Sequence, residues 1–415
     1  MRILIYELKK IWNIKIIGII VVLCVIYFGL SLMDEIRWYP RGTWFGSVDF
    51  AHHLTENYGT SLSLEDFEDF LLYRDIIAIE LDSFFIENAF YAEVGILSFD
   101  DLQAFREYYG SRYEELSTEE RNRFRNVSLE LGYIVRTEEY GDLTSENETP
   151  VAYIKINSYY NVVSFYEINI IGCEERLAHI SSFMEWQPPS QREYQRLTEI
   201  RDSGELTSIM PQMTLFHTWR YARGLSVLVV LVTLVLVSSL VVSDRSSRVN
   251  WLQYSSKEGR KVFGKQFLAV LISALGATTV LVAVFIGVFA ARTGVYAFWG
   301  NGINSFLGAT FHWLSITFLQ YVLLMAGVMY LLATASAALA FVCSRFSINM
   351  IRLMFKIIPL FVVAVMVSNW VLDDFLVVFV GGNVLLQAGV VLGLVVLAAA
   401  VGVFIVRRER LVEVG

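Results

Sequence analysis

The stretch LSVLVVLVTLVLVSSLVV, residues 225–242, contains no charged residue. A helix needs roughly 20 apolar residues to cross about 30 Å of hydrocarbon. A helix that is apolar on every side is either a membrane span or the core of a large soluble protein. Core helices rarely stay apolar on every face over such a length, so we interpret this stretch as a membrane span.

The whole chain supports this interpretation. Of its 415 residues, 55% are hydrophobic and only 18% are charged, whereas about 25% charged residues is usual for a soluble domain. The first apolar run is followed by no small-residue cleavage site, so we expect it to be retained as a span. We therefore predict a polytopic α-helical membrane protein with a six-span bundle. The predicted spans are residues 14–33, 224–243, 267–291, 314–343, 353–372 and 384–406.

Basic residues occur at alternate ends of these spans, within residues 2–15, 245–265, 345–356 and 407–410. Lysine and arginine are enriched on the cytoplasmic side of membrane proteins. We therefore expect both termini in the cytoplasm, a location in the plasma membrane, and residues 34–220 outside the cell. That outer segment has 34 acidic and 15 basic residues, a net charge of −19.

The outer segment is long enough to form a domain with its own core. Helix-capping residues recur in it, namely Ser63, Ser98 and Ser117 with Glu120, and a further helix follows the prolines at 188–189. The stretch VAYIKINSYYNVVSFYEINII (151–171) fits a strand as well as a helix. We predict a mostly α-helical extracellular domain, with α+β as the alternative.

The sequence contains no recognisable catalytic motif, so we expect no enzyme activity of its own. His52, His53 and Glu56 could ligate a metal, but no further ligand cluster accompanies them, and we predict no metal. No nucleic-acid partner is expected. Cys173 is the single cysteine in the outer segment and has no disulfide partner there, which fits a bacterial envelope protein.

The stretch SSKEGRKVFGKQF (255–267) has the glycine and lysine spacing of a phosphate-binding loop. Such a loop needs a buried strand before it and a Ser or Thr after the lysine to hold Mg²⁺. Here Gln266 follows Lys265, and the preceding residues are polar. We therefore interpret the stretch as an interfacial cytoplasmic loop, whose basic residues anchor the next helix at the lipid phosphates.

This loop resembles the one after the second span in permeases of ABC-2 type exporters. In that family a polar helix precedes a Gly-Arg turn, and a lysine opens the third span; Gly259, Arg260 and Lys265 stand at those places. The N-terminal MRILIYELKKIWNIK resembles the amphipathic entry helix of the same family. The resemblance covers the spans and inner loops, about half of the chain, and leaves the outer domain unmatched.

The predicted spans divide the chain into three parts: residues 1–33 with the entry helix and first span, the extracellular domain 34–220, and the bundle 221–415 with the coupling loop. The resemblance implies that a cytoplasmic ABC ATPase subunit would bind the ATP and contact residues 250–262 of the coupling loop 244–265, so the permease itself needs no cofactor. The site residues implied are Lys257, Glu258, Gly259, Arg260 and Lys261 in the loop and Glu7, Lys10 and Trp12 on the entry helix.

The expected function is the export of a peptide, lipid-like or drug-like substrate by two permease copies, or one copy and a paralogue, in the lipid bilayer. An alternative is a receptor or mechanotransmitter that does not transport and whose outer domain grips an extracellular partner. One departure from the family is the short region after the fifth span, VLDDFLVVFVGGN, where a long re-entrant outer hairpin would be reduced or placed differently.

Overall fold

The computed structural model describes residues 2–40, 47–124, 126–127, 149–178, 190–246, 262–308, 310–347, 349–378 and 384–411. These residues are mostly helical, and among them there is no β-strand. The described part contains only two isolated antiparallel bridges, Ser61–Ser208 and His312–Val377. The predicted α-helical membrane class is therefore confirmed for the described residues.

Six helices are long and apolar enough to cross a membrane, and they confirm the six predicted spans. An amphipathic entry helix, Arg2–Ile11, precedes them. In chain order, spans 1 to 6 are Ile14–Arg37, Gln212–Ser238, Val262–Thr293, Phe318–Arg345, Met350–Leu372 and Leu386–Arg408. The helix that contains span 2 continues to Ser246.

Span 1 is irregular near its end. An α-helix, Ile14–Tyr27, begins after the N-cap residue Asn13. A π-helical turn, Phe28–Leu32, then leads into a short α-helix, Met33–Arg37. A π-helical turn inside an α-helix is frequently found at functional sites.

Contacts between the ends of the spans show the relative directions of spans 2, 4 and 5. At one end, Ser344 at the end of span 4 donates to the carbonyl of Ser238 at the end of span 2 at 3.5 Å. At the other end, the connection before span 4 pairs with the connection after span 5, because Trp313 N–H donates to the Leu376 carbonyl at 2.9 Å. Spans 2 and 4 thus run parallel to one another, and spans 4 and 5 run in opposite directions.

Small residues bring some spans close together. Ala335 and Ala338 of span 4 pack in one buried cluster with Ala398 of span 6. A Cβ added at Gly402 of span 6 would lie 2.5 Å from the Phe267 ring of span 3. Membrane helices associate through such close packing, because lipid tails are as apolar as their side chains.

The chain divides into two compact units. The membrane unit comprises Met1–Tyr39, Leu215–Tyr296 and His312–Gly415, and the second unit, the helical unit, comprises Pro40–Thr214 and Ala297–Phe311. The described helices of the helical unit are Ser47–Tyr58, Leu64–Glu87, Ala89–Val94, Phe99–Ser111, Thr149–Tyr166, Cys173–Ala178 and Gln191–Asp202.

The predicted helix caps are present in the helical unit. The Ser63 hydroxyl accepts from the Asp66 backbone N–H, and the Asp66 carboxylate accepts from the Ser63 backbone N–H in return. The hydrogen bond from the Ser63 hydroxyl, and then the one from its backbone, lowers the pKa of Asp66. Ser117 and Glu120 form the same reciprocal pair. These caps satisfy backbone donors that a helix start otherwise leaves open.

The stretch that fits both a strand and a helix is a helix, Thr149–Tyr166, followed by a π-helical turn, Glu167–Ile171. Its buried residues recur at helical spacing, and two of them are aromatic. Tyr166 stacks on Phe67 with ring centroids 3.9 Å apart, and Tyr159 lies 5.0 Å from Phe70. No partner strand lies among the described residues, so packing against the helix Leu64–Glu87 decides the helical outcome.

The connection between spans 3 and 4 contributes residues 297–311 to the helical unit. Phe306 N–H donates to the Leu206 carbonyl at 2.8 Å, and its own carbonyl accepts from Asn169 Nδ2 at 2.7 Å. Ser208 Oγ donates to the Gly302 carbonyl at 2.8 Å. The helical unit is therefore built from the connection between spans 1 and 2 together with the connection between spans 3 and 4.

Candidate functional site

The five loop residues to which the sequence assigns the coupling role lie outside the described residues. They are Lys257, Glu258, Gly259, Arg260 and Lys261. The structure describes both flanks of the loop, which are the helix ending at Ser246 and span 3, beginning at Val262. The candidate site is therefore built from the contacts at the start of span 3.

The entry helix packs along span 3 and turns a charged residue toward it. Glu7 and Ile11 are the buried residues of the entry helix, and Glu7 is only 3% exposed. The Glu7 carboxylate accepts from Lys10 Nζ at 3.2 Å and from Gln266 Nε2 at 3.3 Å. Because Gln266 lies in the first turns of span 3, this carboxylate ties the entry helix to the helix that leaves the loop.

Trp12 makes a second attachment to the same span. Its indole Nε1 donates to Ser273 Oγ at 3.1 Å. Its ring edge lies 3.9 Å from the place of a Cβ on Gly276, which is ordinary van der Waals contact. Residues 266 and 273 are two helical turns apart and share one face of span 3. Glu7, Lys10 and Trp12, which the sequence assigns to the entry helix, are thus brought together on span 3.

Span 4 reaches the same place through Arg345. This arginine is 3% exposed, and its guanidinium lies 4.2 Å from the ring centroid of Phe263. Phe263 is buried at the start of span 3. A cation over an aromatic face contributes about 0.5–2 kcal/mol, more when both groups are desolvated. We call Glu7, Lys10, Phe263, Gln266 and Arg345 the loop-proximal cluster.

Burial of charge makes this cluster a functional candidate. An ionised group within a membrane bundle is costly unless it is paired, and such residues commonly mark functional sites. Sequence reasoning did not select Phe263, Gln266 or Arg345 for the site. Gln266 and Arg345 are polar residues at the borders of apolar runs, and that pattern is equally typical of an ordinary membrane anchor.

The opposite end of the membrane unit has a more exposed set of charges. Glu35, at the end of span 1, accepts from Arg220 Nε at 3.0 Å and lies 3.2 Å from His217 Nδ1. Arg223 Nη1 donates to Asp373 Oδ1 at 2.9 Å and so joins span 2 to the connection after span 5. We call these five residues the distal cluster.

The connection after span 5 is strained and partly buried. Asp374 and Leu376 adopt positive φ angles of 42° and 66°, a region that costs a non-glycine residue roughly 1 kcal/mol or more. Burial, followed by the charge of Asp373, raises the pKa of Asp374. The Phe375 carbonyl accepts from the Tyr321 hydroxyl at 3.3 Å, which holds the connection against span 4.

The described residues contain no group of three or more His, Cys, Asp or Glu side chains arranged to hold a metal ion. His52 Nδ1 lies 3.3 Å from Glu56 Oε1 as an exposed pair on one helix. Comparison with protein-family models, with curated proteins and with solved structures finds no match to this chain. The resemblance to exporter permeases therefore depends on the sequence alone.

Proposed function

We propose that this chain is the permease subunit of an ABC-2 type exporter, powered by ATP bound to a separate cytoplasmic chain. The observation that supports the proposal most is the loop-proximal cluster. Residues 247–261 join the helix of span 2 to span 3, because residues 244–246 and 262–265 of the predicted loop belong to those two helices. The first turns of span 3 contact both the entry helix and the end of span 4. A force on the loop would therefore move the entry helix, span 3 and span 4 together.

The two attachments of the entry helix make this transmission rigid. They lie on span 3 at Gln266 and Ser273, about 10 Å apart along the helix axis. A single hydrogen bond would let the entry helix swivel, whereas two bonds on one face fix its direction. Interhelical hydrogen bonds in membranes contribute about 0.6 kcal/mol each, and the buried Ile11 adds packing between them.

The proposed orientation has the loop in the cytoplasm and residues 34–220 outside a bacterial plasma membrane. The distribution of Lys and Arg supports this orientation, because they gather near the span ends within residues 2–15, 245–265, 345–356 and 407–410. The helical unit draws on two connections that alternating spans put on one side. An impermeant maleimide should label an exposed site, Tyr194→Cys, in intact cells; labelling only after lysis would refute the orientation.

The substrate class that we propose is a peptide, a lipid-like compound or a drug-like compound, moved by two permease copies or by one copy and a paralogue. The sequence supports transport driven from another chain, because it contains no complete phosphate-binding loop of its own.

The test of the proposal is a charge reversal in the loop, Arg260→Glu with Lys261→Glu, in the full chain purified from its native membrane. Wild type should bring with it a nucleotide-binding chain whose ATPase activity responds to the permease. The double variant should retain roughly tenfold less of that chain, because a repelled charge pair costs about 1.4 kcal/mol or more.

The matched control is Arg292→Glu, which changes a basic residue at the far end of span 3. This control should retain the partner fully. Undiminished partner and ATPase activity in the double variant would exclude this loop as the contact. Wild type that purifies with no ATPase at all would contradict the function itself.

A further inference from the structure

A groove of about 690 Å³ runs along span 1 and has Leu231 of span 2 on one side. Its other lining residues belong to span 1, among them Lys15, Gly18, Val22, Tyr27 and Leu30. The Tyr27 hydroxyl donates to the Gly224 carbonyl at 3.1 Å, so its polar atom is turned toward span 2. The surface that remains is almost entirely apolar.

The groove has the length of a lipid chain. From Lys15 to Leu30 the helix advances about 22 Å, at 1.5 Å for each residue. One leaflet supplies about 15 Å of hydrocarbon, half of the 30 Å core. An acyl chain that enters beside Lys15 therefore remains within the groove over its whole depth in that leaflet.

The charge in the groove lies at one end only. Among the described residues that line the groove, Lys15 alone is charged at neutral pH. The entry helix just before it adds the exposed basic residues Arg2 and Lys9. None of the described lining residues is acidic, so an occupant that covers Lys15 has to bring its own negative charge to avoid leaving an ammonium group unpaired.

We propose that this groove binds an anionic phospholipid, with one acyl chain along span 1 and the phosphate at Lys15. A lysine ammonium suits a phosphate because it is a compact charge with three donors. A second copy of this chain fits poorly, because a two-fold contact through the groove would bring Lys15 against its own equivalent. The lipid site is independent of transport and of any ATPase.

Gly18 allows the groove to be filled without disturbing the fold. A Cβ added at Gly18 would meet no atom within 4 Å, so a large side chain there points into open space. Replacing a glycine inside a helix also removes its conformational penalty. Gly287 of span 3 is a matched control, since it is exposed, has the same open surroundings and lies outside the groove.

The experiment uses the full chain in vesicles containing phosphatidylglycerol or phosphatidylcholine with a photoreactive group midway along one acyl chain. Crosslinked residues are mapped by mass spectrometry. In wild type the crosslinks should lie on span 1, with about a fivefold preference for phosphatidylglycerol, the preference that one lysine near an anionic surface gives. Lys15→Gln should abolish this preference.

Gly18→Phe should lower the yield on span 1 about fivefold or more for both lipids, since it removes the space rather than the charge, whereas Gly287→Phe should leave the yield unchanged. Two results would overturn the proposal. One is crosslinking spread equally over spans 1 and 5 and insensitive to Gly18→Phe, which indicates ordinary surrounding lipid. The other is a disulfide between two copies carrying Gly18→Cys, which indicates that the groove is a contact between chains.

Discussion

At one end of the membrane unit Glu7 and Arg345 are each 3% exposed, whereas at the other end Arg223 and Asp373 leave 33% and 51% of their side chains exposed. Buried charges lose more when one partner is removed, since the remaining group is left in an apolar setting. Exposed ion pairs are screened by water and contribute about 0–1 kcal/mol. The loop-proximal cluster is thus the more costly of the two to break.

This difference indicates a mechanical division between the two ends. The end beside the loop holds the entry helix, span 3 and span 4 together through groups that cannot readily separate. At the distal end, the Arg223–Asp373 pair that joins span 2 to the connection after span 5 is open to water. Glu35 and His217, which join span 1 to span 2, are mostly buried. We infer that the Arg223–Asp373 contact separates more readily than the contacts of Glu7 and Arg345.

The largest effect is expected for Glu7→Leu. The substitution removes the carboxylate that accepts from Lys10 and Gln266, and it should destabilise docking of the entry helix by about 1–2 kcal/mol. Ile11 is fully buried in the docked helix, so Ile11→Cys reports undocking through its rate of maleimide labelling. Labelling should be roughly tenfold faster in the Glu7→Leu background.

Glu7→Gln is the control for that change, because it keeps an acceptor for Gln266 and removes only the charge. It should give an intermediate labelling rate. Equal rates in all three backgrounds would show that the buried carboxylate does not hold the entry helix in place.

A smaller effect is expected for Glu35→Gln at the distal end. Glu35 retains 15% exposure and contacts both His217 and Arg220. Loss of its charge should lower the free energy of unfolding by about 1 kcal/mol, measured by reversible denaturation in mixed micelles. Asp34→Asn, one position away and exposed, should change it by less than about 0.5 kcal/mol. Equal effects of the two substitutions would contradict a special role for Glu35.

The smallest effect is expected for the Arg223–Asp373 pair. A double-mutant cycle with Arg223→Gln and Asp373→Asn should give a coupling energy of about 0.5 kcal/mol or less. The value should fall further in high salt, because exposed charges are screened over about 10 Å at 0.1 M. A coupling energy above about 2 kcal/mol would show that this exposed pair is as costly to break as the buried contacts beside the loop.

Local features of this fold could be predicted from sequence because their causes are local. The six spans follow from apolar length, and the helix starts at Ser63 and Ser98 follow from a hydroxyl that meets the first free backbone donors. The stretch 151–171 could not be assigned, since aromatic and β-branched residues suit both a strand and a buried helix. Its helical state depends on contacts with a helix more than 60 residues away.

The candidate site could be predicted only in part, for the same physical reason. Amphipathic pattern identifies Glu7, Lys10 and Trp12 as part of an entry helix, but no local signal indicates that Glu7 is the buried one. Gln266 and Arg345 acquire their roles from the approach of separate helices. In the sequence, residues 297–311 are simply part of the connection between spans 3 and 4. Long-range hydrogen bonds, such as that of Asn169 to Phe306, assign them to the helical unit.

The π-helical turn Phe28–Leu32 determines the direction, around the axis of span 1, in which the side chains beyond it point. A π turn accommodates one residue more than the α-helix around it, and each residue of an α-helix accounts for about 100° of rotation. Loss of a single residue there would restore an unbroken α-helix and leave Glu35 facing His217 and Arg220, whereas conversion of the turn to α-helix with all its residues retained would rotate Glu35 by about that angle. A one-residue deletion in the turn should therefore preserve the ion pairs of Glu35, whereas a change that closes the turn without removing a residue should disrupt them.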